Sequence, residues 1–507
     1  MPRGRRGRFA PYVVGMGLLT MALALVGFAL YAAILDDPVA PFLLTATVAF
    51  VLGVPLRWVG RFGPDPSRRE ALLSVLLLWS VVPLVGVLPY VLGAGMTPLN
   101  ALFESMSGFT ATGATAITDF AALSTALFMW RAFTQWVGGI GIVVAFVAVF
   151  PQLAIAGRQI FHAELPGPTE ERLSPRLRTT ALAVLSVYVA LSATCAFAYA
   201  LAGMAPYEAV AHAFTTVAAA GFSPEARSYE AYGMAVDWVA ITFMTLAAVN
   251  FALLFRAFLG RPRDLARDPE LRTYGAIVLL AGSLLSLHLV GTYDRGEALR
   301  HGFFQTVSIL TTTGYASADF DAWPDRARMT LLLLMFVGGS AGSAAGGIKV
   351  MRWLIIGAHT VREVRRALHP RAILPLQVGR RAIPDDVLKA VGAFLMLYAG
   401  LVTASATLLV YLGQDFLSAF SAAAATVGNV GPGLGNVGPM ASYGDLPALG
   451  RGVLIFNMFA GRLEIVTVFV LFTMRSWRLP RREGRGRGGA AALSESTRRG
   501  PLLDEPS

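Results

Sequence analysis

Charge is the scarcest feature of this sequence. Only 14% of its 507 residues are Asp, Glu, Lys or Arg, and 55% are hydrophobic, with a mean hydropathy of +0.60. Average soluble domains carry about 25% charge. So little charge cannot cover the surface of a soluble protein. Cysteine is nearly absent too. Cys195 stands alone in an apolar run, which excludes an intrachain disulfide and leaves a small buried hydrophobe. The six histidines show no metal-ligand spacing. No Gly-x-Gly-x-x-Gly follows a strand. AGSAAGGIK has Gly-Ile-Lys where a phosphate loop needs Gly-Lys-Ser/Thr, and it follows an apolar span. Neither an enzyme nor a covalently bound cofactor is expected.

What is present is apolar length. Runs of about 20 apolar residues match the ~30 Å hydrocarbon core of a bilayer. They begin near residues 12, 39, 71, 124, 179, 235, 274, 328, 386 and 450. The expected fold is an all-α polytopic membrane protein with ten transmembrane helices. The opening MPRGRRGRFAPYVVGMGLLTMALALVGFAL has the charge-then-apolar layout of a signal peptide. Its apolar part is too long and no clear cleavage site follows, so it reads as a first transmembrane helix. The net charge is +11, and most of the 42 lysines and arginines fall in clusters at 3–8, 57–69, 158–178, 256–272, 349–389 and 475–499. This positive-inside asymmetry places both termini and all these clusters in the cytoplasm. The charge orients the chain and calls for no nucleic acid. The Gly/Arg-rich tail after Trp477 reads as disordered.

Between the long runs lie shorter ones: TPLNALFESMSGF, APYEAVAHAFTTV, RGEALRHGFFQTVSIL and GQDFLSAFSAAAATV. They are too short to cross as helices, and re-entrant segments are tolerated only inside protein or along a wet cavity. Each runs into a loop with a central glycine: TATGAT, VAAAGFS, TTTGYAS and GNVGPG, centred on Gly113, Gly221, Gly314 and Gly431. The unit span–short helix–glycine loop–span thus occurs four times, after one extra pair of spans. The chain divides into 1–66 (basic segment and extra helix pair), 67–156, 157–262, 263–368 and 369–478 (four pseudo-symmetric membrane–pore–membrane repeats around one pore), and 479–507 (tail). Inward-facing carbonyls of extended loops can replace the water shell of a cation. Glycine permits the backbone angles, threonine adds hydroxyls, and the short helices aim their partly negative C-terminal ends at the cavity. The loops contain no Arg or Lys, which disfavours an anion. Single glycine C-caps would explain each loop, but not four short helices.

Within the third repeat, FVGGSAGSAAGGIK interrupts the span after the loop. Five glycines favour unwinding, and of the four spans following a loop only this one is expected to break. Tight helix packing through small residues is the competing explanation. The expected gate comprises Gly338, Gly339, Ser340, Gly342, Ser343, Gly346 and Gly347, working with Arg462. Lys349 is either part of that gate or the first cytoplasmic anchor. Arg462 and Glu464 sit two apart in the last span, on different helix faces, so Glu464 is expected to bond elsewhere. Glu104 either attracts cations or supports the first loop from behind. Arg131 is read as an interface residue. Asp119, Asp319, Asp321 and Asp325 read as solvated loop acids or as cation attractors at the outer mouth.

Together LFESMSGFTATGAT, RAFTQWVGGIGIVV, TTVAAAGFS, NFALLF, TTTGYAS, GGSAGSAAGGIKVMR, ATVGNVGPGLG and GRLEIVTVFVLF resemble the TrkH/KtrB-type potassium uptake family, on its TrkH side, over nearly all of 72–474. The resemblance implies one potassium pathway with potassium as substrate, a homodimer in the prokaryotic inner membrane, and a cytosolic TrkA/KtrA-like regulatory ring. Any nucleotide, of NAD or ATP type, would bind that partner. Carried over by motif, the filter is Ala111, Thr112 and Gly113; Ala219, Ala220 and Gly221; Thr312, Thr313 and Gly314; Asn429, Val430 and Gly431. In related transporters serine at the first glycine position goes with sodium permeation, so glycine there implies potassium preference. The second loop has alanines where hydroxyls are expected. GNVGP occurs twice, at Gly428 and Gly435, and the first copy leaves a short helix like the others. The resemblance also places Arg462 in the path below the filter. A cation-coupled symporter and a less selective sodium/potassium transporter remain open, as does, from the residues alone, a transporter with inverted repeats.

Overall fold

The structure is a computed structural model that describes residues 9–61, 68–148, 175–372, 374–379 and 381–473. The basic clusters at 3–8 and 475–499, most of that at 158–178, and the tail 479–507 lie outside these residues. The chain divides into two units, Met1–Val468 and Phe469–Ser507, and all four glycine loops belong to the first.

An extra helix pair comes first, α1 (Phe9–Ile34) and α2 (Ala40–Val59). A Cβ on Gly15 would lie 2.5 Å from the Arg57 nitrogen, so the two backbones pack with nothing between them. The pair shares an apolar core with the first repeat through Leu18, Leu25, Phe42, Phe109 and Trp130. That repeat is α3 (Arg68–Val85), α4 (Leu88–Ala94), α5 (Pro98–Phe109) and α6 (Thr125–Ala148). The second is α7 (Pro175–Leu201), α8 (Pro206–Val217), α9 (Met234–Ala247) and α10 (Phe251–Phe258), followed by a short α11 (Pro262–Arg267). The third is α12 (Pro269–Leu289), α13 (Arg295–Leu310), α14 (Asp325–Leu334) and α15 (Val350–Leu368). A two-stranded hairpin, β1 (Gln377–Val378) against β2 (Arg381–Ala382), leads into the fourth. There α16 (Asp385–Tyr411), α17 (Phe416–Val427), α18 (Ala448–Arg462) and α19 (Ile465–Thr473) follow.

The re-entrant helices α5, α8, α13 and α17 have 12, 12, 16 and 12 residues. At about 1.5 Å per residue none reaches across ~30 Å of hydrocarbon. Proline opens α5 and α8, where its missing N–H costs nothing. The Asp415 carboxylate caps α17 by accepting from Ser418 N at 3.0 Å.

Among the described residues six helices are long and apolar enough to cross a membrane, or seven if the bent pair α9–α10 counts as one span. The ten apolar runs are therefore not ten unbroken helices. The expected break in the third repeat is there, with no helix between Leu334 and Val350. Two others correct the expectation that it would be the only one. After Ala247 the chain turns by 102° into α10, and α18 stops at Arg462 before Glu464 takes a left-handed φ of 65°. Neither site is glycine-rich. The first is held by Asn250, whose Oδ1 accepts from Leu253 N at 3.0 Å and whose Nδ2 donates to Ala341 O at 2.8 Å. That partner belongs to another repeat, so no local pattern announces the bend.

Asn250→Ala removes both bonds and is expected to lower the thermal midpoint of the detergent-purified chain, by the equivalent of about 1–2 kcal/mol. Asn250→Asp keeps the cap and should cost less. An unchanged midpoint in Asn250→Ala would show that the bend does not depend on this side chain.

Candidate functional site

The four loops share one backbone. In each, the residue after the short helix's C-cap has a left-handed φ: Ala111 (50°), Ala219 (53°), Thr312 (59°) and Asn429 (54°). Its N–H reaches back three residues, to Gly108, Thr216, Ile309 and Thr426. The next N–H reaches back five, to Ser107, Thr215, Ser308 and Ala425, at 2.9, 3.0, 2.9 and 2.7 Å. This is a Schellman cap, a position that glycine usually fills. Here glycine comes two residues later, at Gly113, Gly221, Gly314 and Gly431, with φ of 88, 80, 83 and 105°. Simple glycine C-caps therefore do not describe the loops. A non-glycine residue in the left-handed region costs about 1–2 kcal/mol, and such strain clusters at functional sites. In the fourth loop the first GNVGP copy carries this signature. The second forms a 3-10 turn at Gly435–Val437.

The loops close into a ring. A Cβ added at Gly113 would lie 2.1 Å from Ala220 O. One at Gly221 would lie 1.9 Å from Thr313 O, and one at Gly314 2.1 Å from Val430 O. One at Gly431 would lie 2.9 Å from Thr112 O, which returns to the first loop. Side chains of the residues before each glycine are buried at 0–1% exposure. Gly113, Gly221 and Gly314 keep accessible surface.

Each loop is braced differently. Thr110 and Thr112 share a hydroxyl bond of 2.7 Å, as do Thr311 and Thr313. The hydroxyl-free second loop is held by Gln135 of α6, which donates to Ala220 O at 2.7 Å and accepts from Phe222 N at 3.0 Å. Asn429 donates to Thr112 Oγ1 at 2.9 Å, from the fourth loop to the first. The Tyr315 hydroxyl bonds Thr216 at 3.1 Å and donates to His212 O at 3.2 Å, from the third loop to the second short helix. Tyr443 donates to Gly431 O at 2.8 Å, and its N–H donates to Thr115 O at 2.9 Å. Gln135, Tyr315 and Tyr443 carry no motif that marks them as bracing residues. A glutamine inside a span is the one signal that was available.

Glu104 sits behind the first loop, where it accepts from Ala116 N at 2.9 Å and pairs with Arg131 at 2.5 Å. Arg131 is 3% exposed, donates to Ser223 O at 2.9 Å and lies over the Phe222 ring at 3.5 Å. Its reading as an interface residue is corrected: it joins the first two loops inside the protein. Among the outer acids, Asp119 and Asp319 cap turns, and Asp321 accepts from Gly435 N at 2.8 Å and pairs with Arg328 at 3.1 Å. Asp325 is exposed.

Residues 338–347 lie against the loops. Gly346 N donates to Thr312 Oγ1 at 2.6 Å, and Gly347 N to Gly428 O at 2.9 Å. Ser340 N and Ala344 N donate to Ala248 O and Ala247 O, at the bend of the second repeat. Gly338, Gly342 and Gly347 have left-handed φ of 81, 76 and 73°. Gly339 meets Ala248, and Ser343 bonds back to Ser340 O. Arg462, 4% exposed, donates to Ala344 O at 3.1 Å and Gly138 O at 3.4 Å, so its guanidinium reaches from the third repeat to the first. Lys349 is 7% exposed and donates to Ala345 O, which rules out a cytoplasmic anchor. Glu464 pairs with Arg352 of α15 at 2.7 Å. Glu270, at the start of α12, accepts from Ala341 N at 2.8 Å and Met351 N at 3.0 Å.

Removing one partner of a buried ion pair leaves the other uncompensated. Glu104→Ala is expected to destabilise the chain by about 3–5 kcal/mol, with Glu104→Ala/Arg131→Ala less affected. Thermal melting of the parent, the two single variants and the double variant measures this. A double variant no more stable than Glu104→Ala would show that the pair does not act as a unit.

A family model described as TrkH, cation transport protein, matches residues 71–479. The Trk system potassium uptake protein TrkH of Halomonas elongata is 40% identical over 421 residues, 81% of this chain and 86% of that protein. Its counterpart in Vibrio parahaemolyticus is 37% identical over 481 residues, 92% and 98% of the two. The crystal structure of the potassium transporter TrkH from Vibrio parahaemolyticus aligns with a TM-score of 0.84 at 36% identity, over 92% of this chain and 99% of that one. With its four-loop ring, its mostly helical fold and these matches, the chain belongs to the TrkH family of cation transport proteins.

Proposed function

We propose that this chain takes up potassium across the prokaryotic cytoplasmic membrane, through a filter of backbone carbonyls at Ala111–Gly113, Ala219–Gly221, Thr312–Gly314 and Asn429–Gly431. The observation that carries this reading is the cyclic approach of each loop glycine to the carbonyl before the next one. With the neighbouring side chains buried, the ring offers a passing ion mainly peptide oxygens, which suit a dehydrated cation. Four helix C-termini add partial negative charge. Relatives described as potassium uptake proteins support potassium as the ion.

Residues 338–347 act as an intramembrane gate together with Lys349 and Arg462. Irregular backbone is acceptable at this depth because it is buried in protein or lines a wet path. A buried guanidinium bonded to the gate opposes a cation at close range, and displacing the segment removes that bond. A homodimer with cytoplasmic termini, controlled by a cytosolic nucleotide-binding subunit, completes the proposal.

Reversal potentials of the purified chain in liposomes test the transported ion, with potassium, sodium and proton gradients varied separately. The reversal should follow potassium alone. Dependence on a second gradient would establish coupled symport, and equal sodium permeation would end the selectivity claim. Gly221→Ala places a methyl on Thr313 O and strains the backbone, so potassium flux should fall at least about tenfold. Gly314→Ser should lose potassium selectivity, and unchanged selectivity would count against this filter. Shortening 338–347 should raise potassium flux, and flux unaltered by it would refute the gate.

A further inference from the structure

A single carboxylate bonds both the interior of the third repeat's irregular segment and the start of the helix that follows it. Glu270 is 2% exposed, in the first turn of α12, after the Asp268 cap that accepts from Leu271 N at 2.8 Å. Its Oε1 accepts from Ala341 N, inside the glycine-rich stretch, and from Met351 N, in the first turn of α15. Those two N–H groups flank Gly342, Gly346, Gly347 and the left-handed Lys349. One acceptor thus closes residues 341–351 into a loop and supplies a partner to N–H groups that an unwound stretch and a helix start leave over.

The same turn differs elsewhere in the chain. The second repeat reads PRLRTT where the third reads PELRTY, with Arg176 in the place of Glu270. In the fourth, Asp385 follows the proline but is 76% exposed and faces Arg362 at 3.7 Å. The buried acid accompanies the repeat whose second span carries the long irregular segment.

We propose that Glu270 is a positioning residue, a latch that holds this segment in place and ties it to the cytoplasmic end of α12. The proposal rests on reading residues 338–347 as the gate. Movement at that end has a direct route to the latch. The short α11 leads straight into it, with Arg272 Nε bonded to Ala266 O at 2.6 Å. The β1–β2 hairpin reaches it from the other side, with Gly379 against Pro269. α12, α15 and the hairpin together border an open pocket of about 430 Å³, lined by Pro269, Val337, Val350, Trp353 and Val378. A partner pressing on α11 or the hairpin would move Glu270 relative to Ala341 and Met351 and release the segment from Thr312 and Gly428, while each filter loop keeps its own Schellman bonds.

The test uses the purified full chain in liposomes. Glu270→Gln keeps the shape and an acceptor oxygen but loses the charge that strengthens both bonds. It should raise potassium flux about fivefold with the potassium/sodium ratio unchanged. Glu270→Asp should fall between it and the parent. Amide hydrogen exchange of the same proteins should quicken in peptides covering 338–352 and stay constant over 311–317. Unaltered flux and exchange would overturn the latch, and so would faster exchange over both peptides, which would mark general loosening. The chain with 338–347 shortened separates the two claims. If it conducts more and Glu270→Gln does not, the latch is wrong and the gate stands. If shortening changes nothing, the gate reading fails, and the exchange data alone decide whether Glu270 holds the segment.

Discussion

The structure depends on the closure of four backbone loops against one another. Each loop glycine offers its bare Cα to the carbonyl that precedes the next glycine, at separations no Cβ can occupy. A ring built from peptide groups has little slack, because shifting one loop pushes its neighbour's carbonyl. That constraint accounts for the two left-handed residues in every loop, one of them not glycine. The strain is tolerated because the Schellman bonds, the buried side chains and the adjoining repeats all specify the same geometry.

The backbone repeats, but the chemistry that joins neighbouring repeats does not. Arg131 and Gln135 tie the first to the second, and Tyr315 the third to the second. Asp321 joins the third to the fourth, and Asn429 and Tyr443 the fourth to the first. Gln135 stands where the second loop has only alanines and supplies the polar contacts that threonines make within the first and third. One chain that contains all four repeats can vary each joint separately, which identical subunits could not.

Beneath the ring, three of the four second spans stop being helical. In the second and fourth repeats the break frees groups that bond the third repeat: Asn250 bonds Ala341, and Glu464 pairs with Arg352. The long irregular segment is thus received by interruptions on both sides. Arg462, at the end of α18, lies where the segment and the first repeat meet. Lys349, beside the segment, lies within electrostatic reach of charge of both signs, from Arg462 and Arg352 to Glu464 and Glu270.

Much of this was legible in the sequence, because it rests on local signals. Apolar run length marks the membrane class, the short runs mark the re-entrant helices, and a glycine recurring after each marks the loops. Five glycines in fourteen residues announce the unwound segment around Gly338–Gly347. Local signals could not show that Ala111, Ala219 and Thr312 are left-handed, since alanine and threonine seldom are; only Asn429 is of a type that often caps a helix this way. Nor could they show the breaks at Ala247 and Arg462, where the partners that stabilise the interruption come from another repeat. Arg131 looked like an interface residue from its place near the outer end of a span, because its partner Glu104 lies on a different helix and left no local trace. The sequence by itself determined which segments are apolar, which are too short to span, and where the four glycine loops and the glycine-rich break fall, since length and composition are properties of a stretch. Only the tertiary structure decided which buried charges meet and which carbonyl faces which glycine, because those contacts exist only once four distant segments converge on one axis.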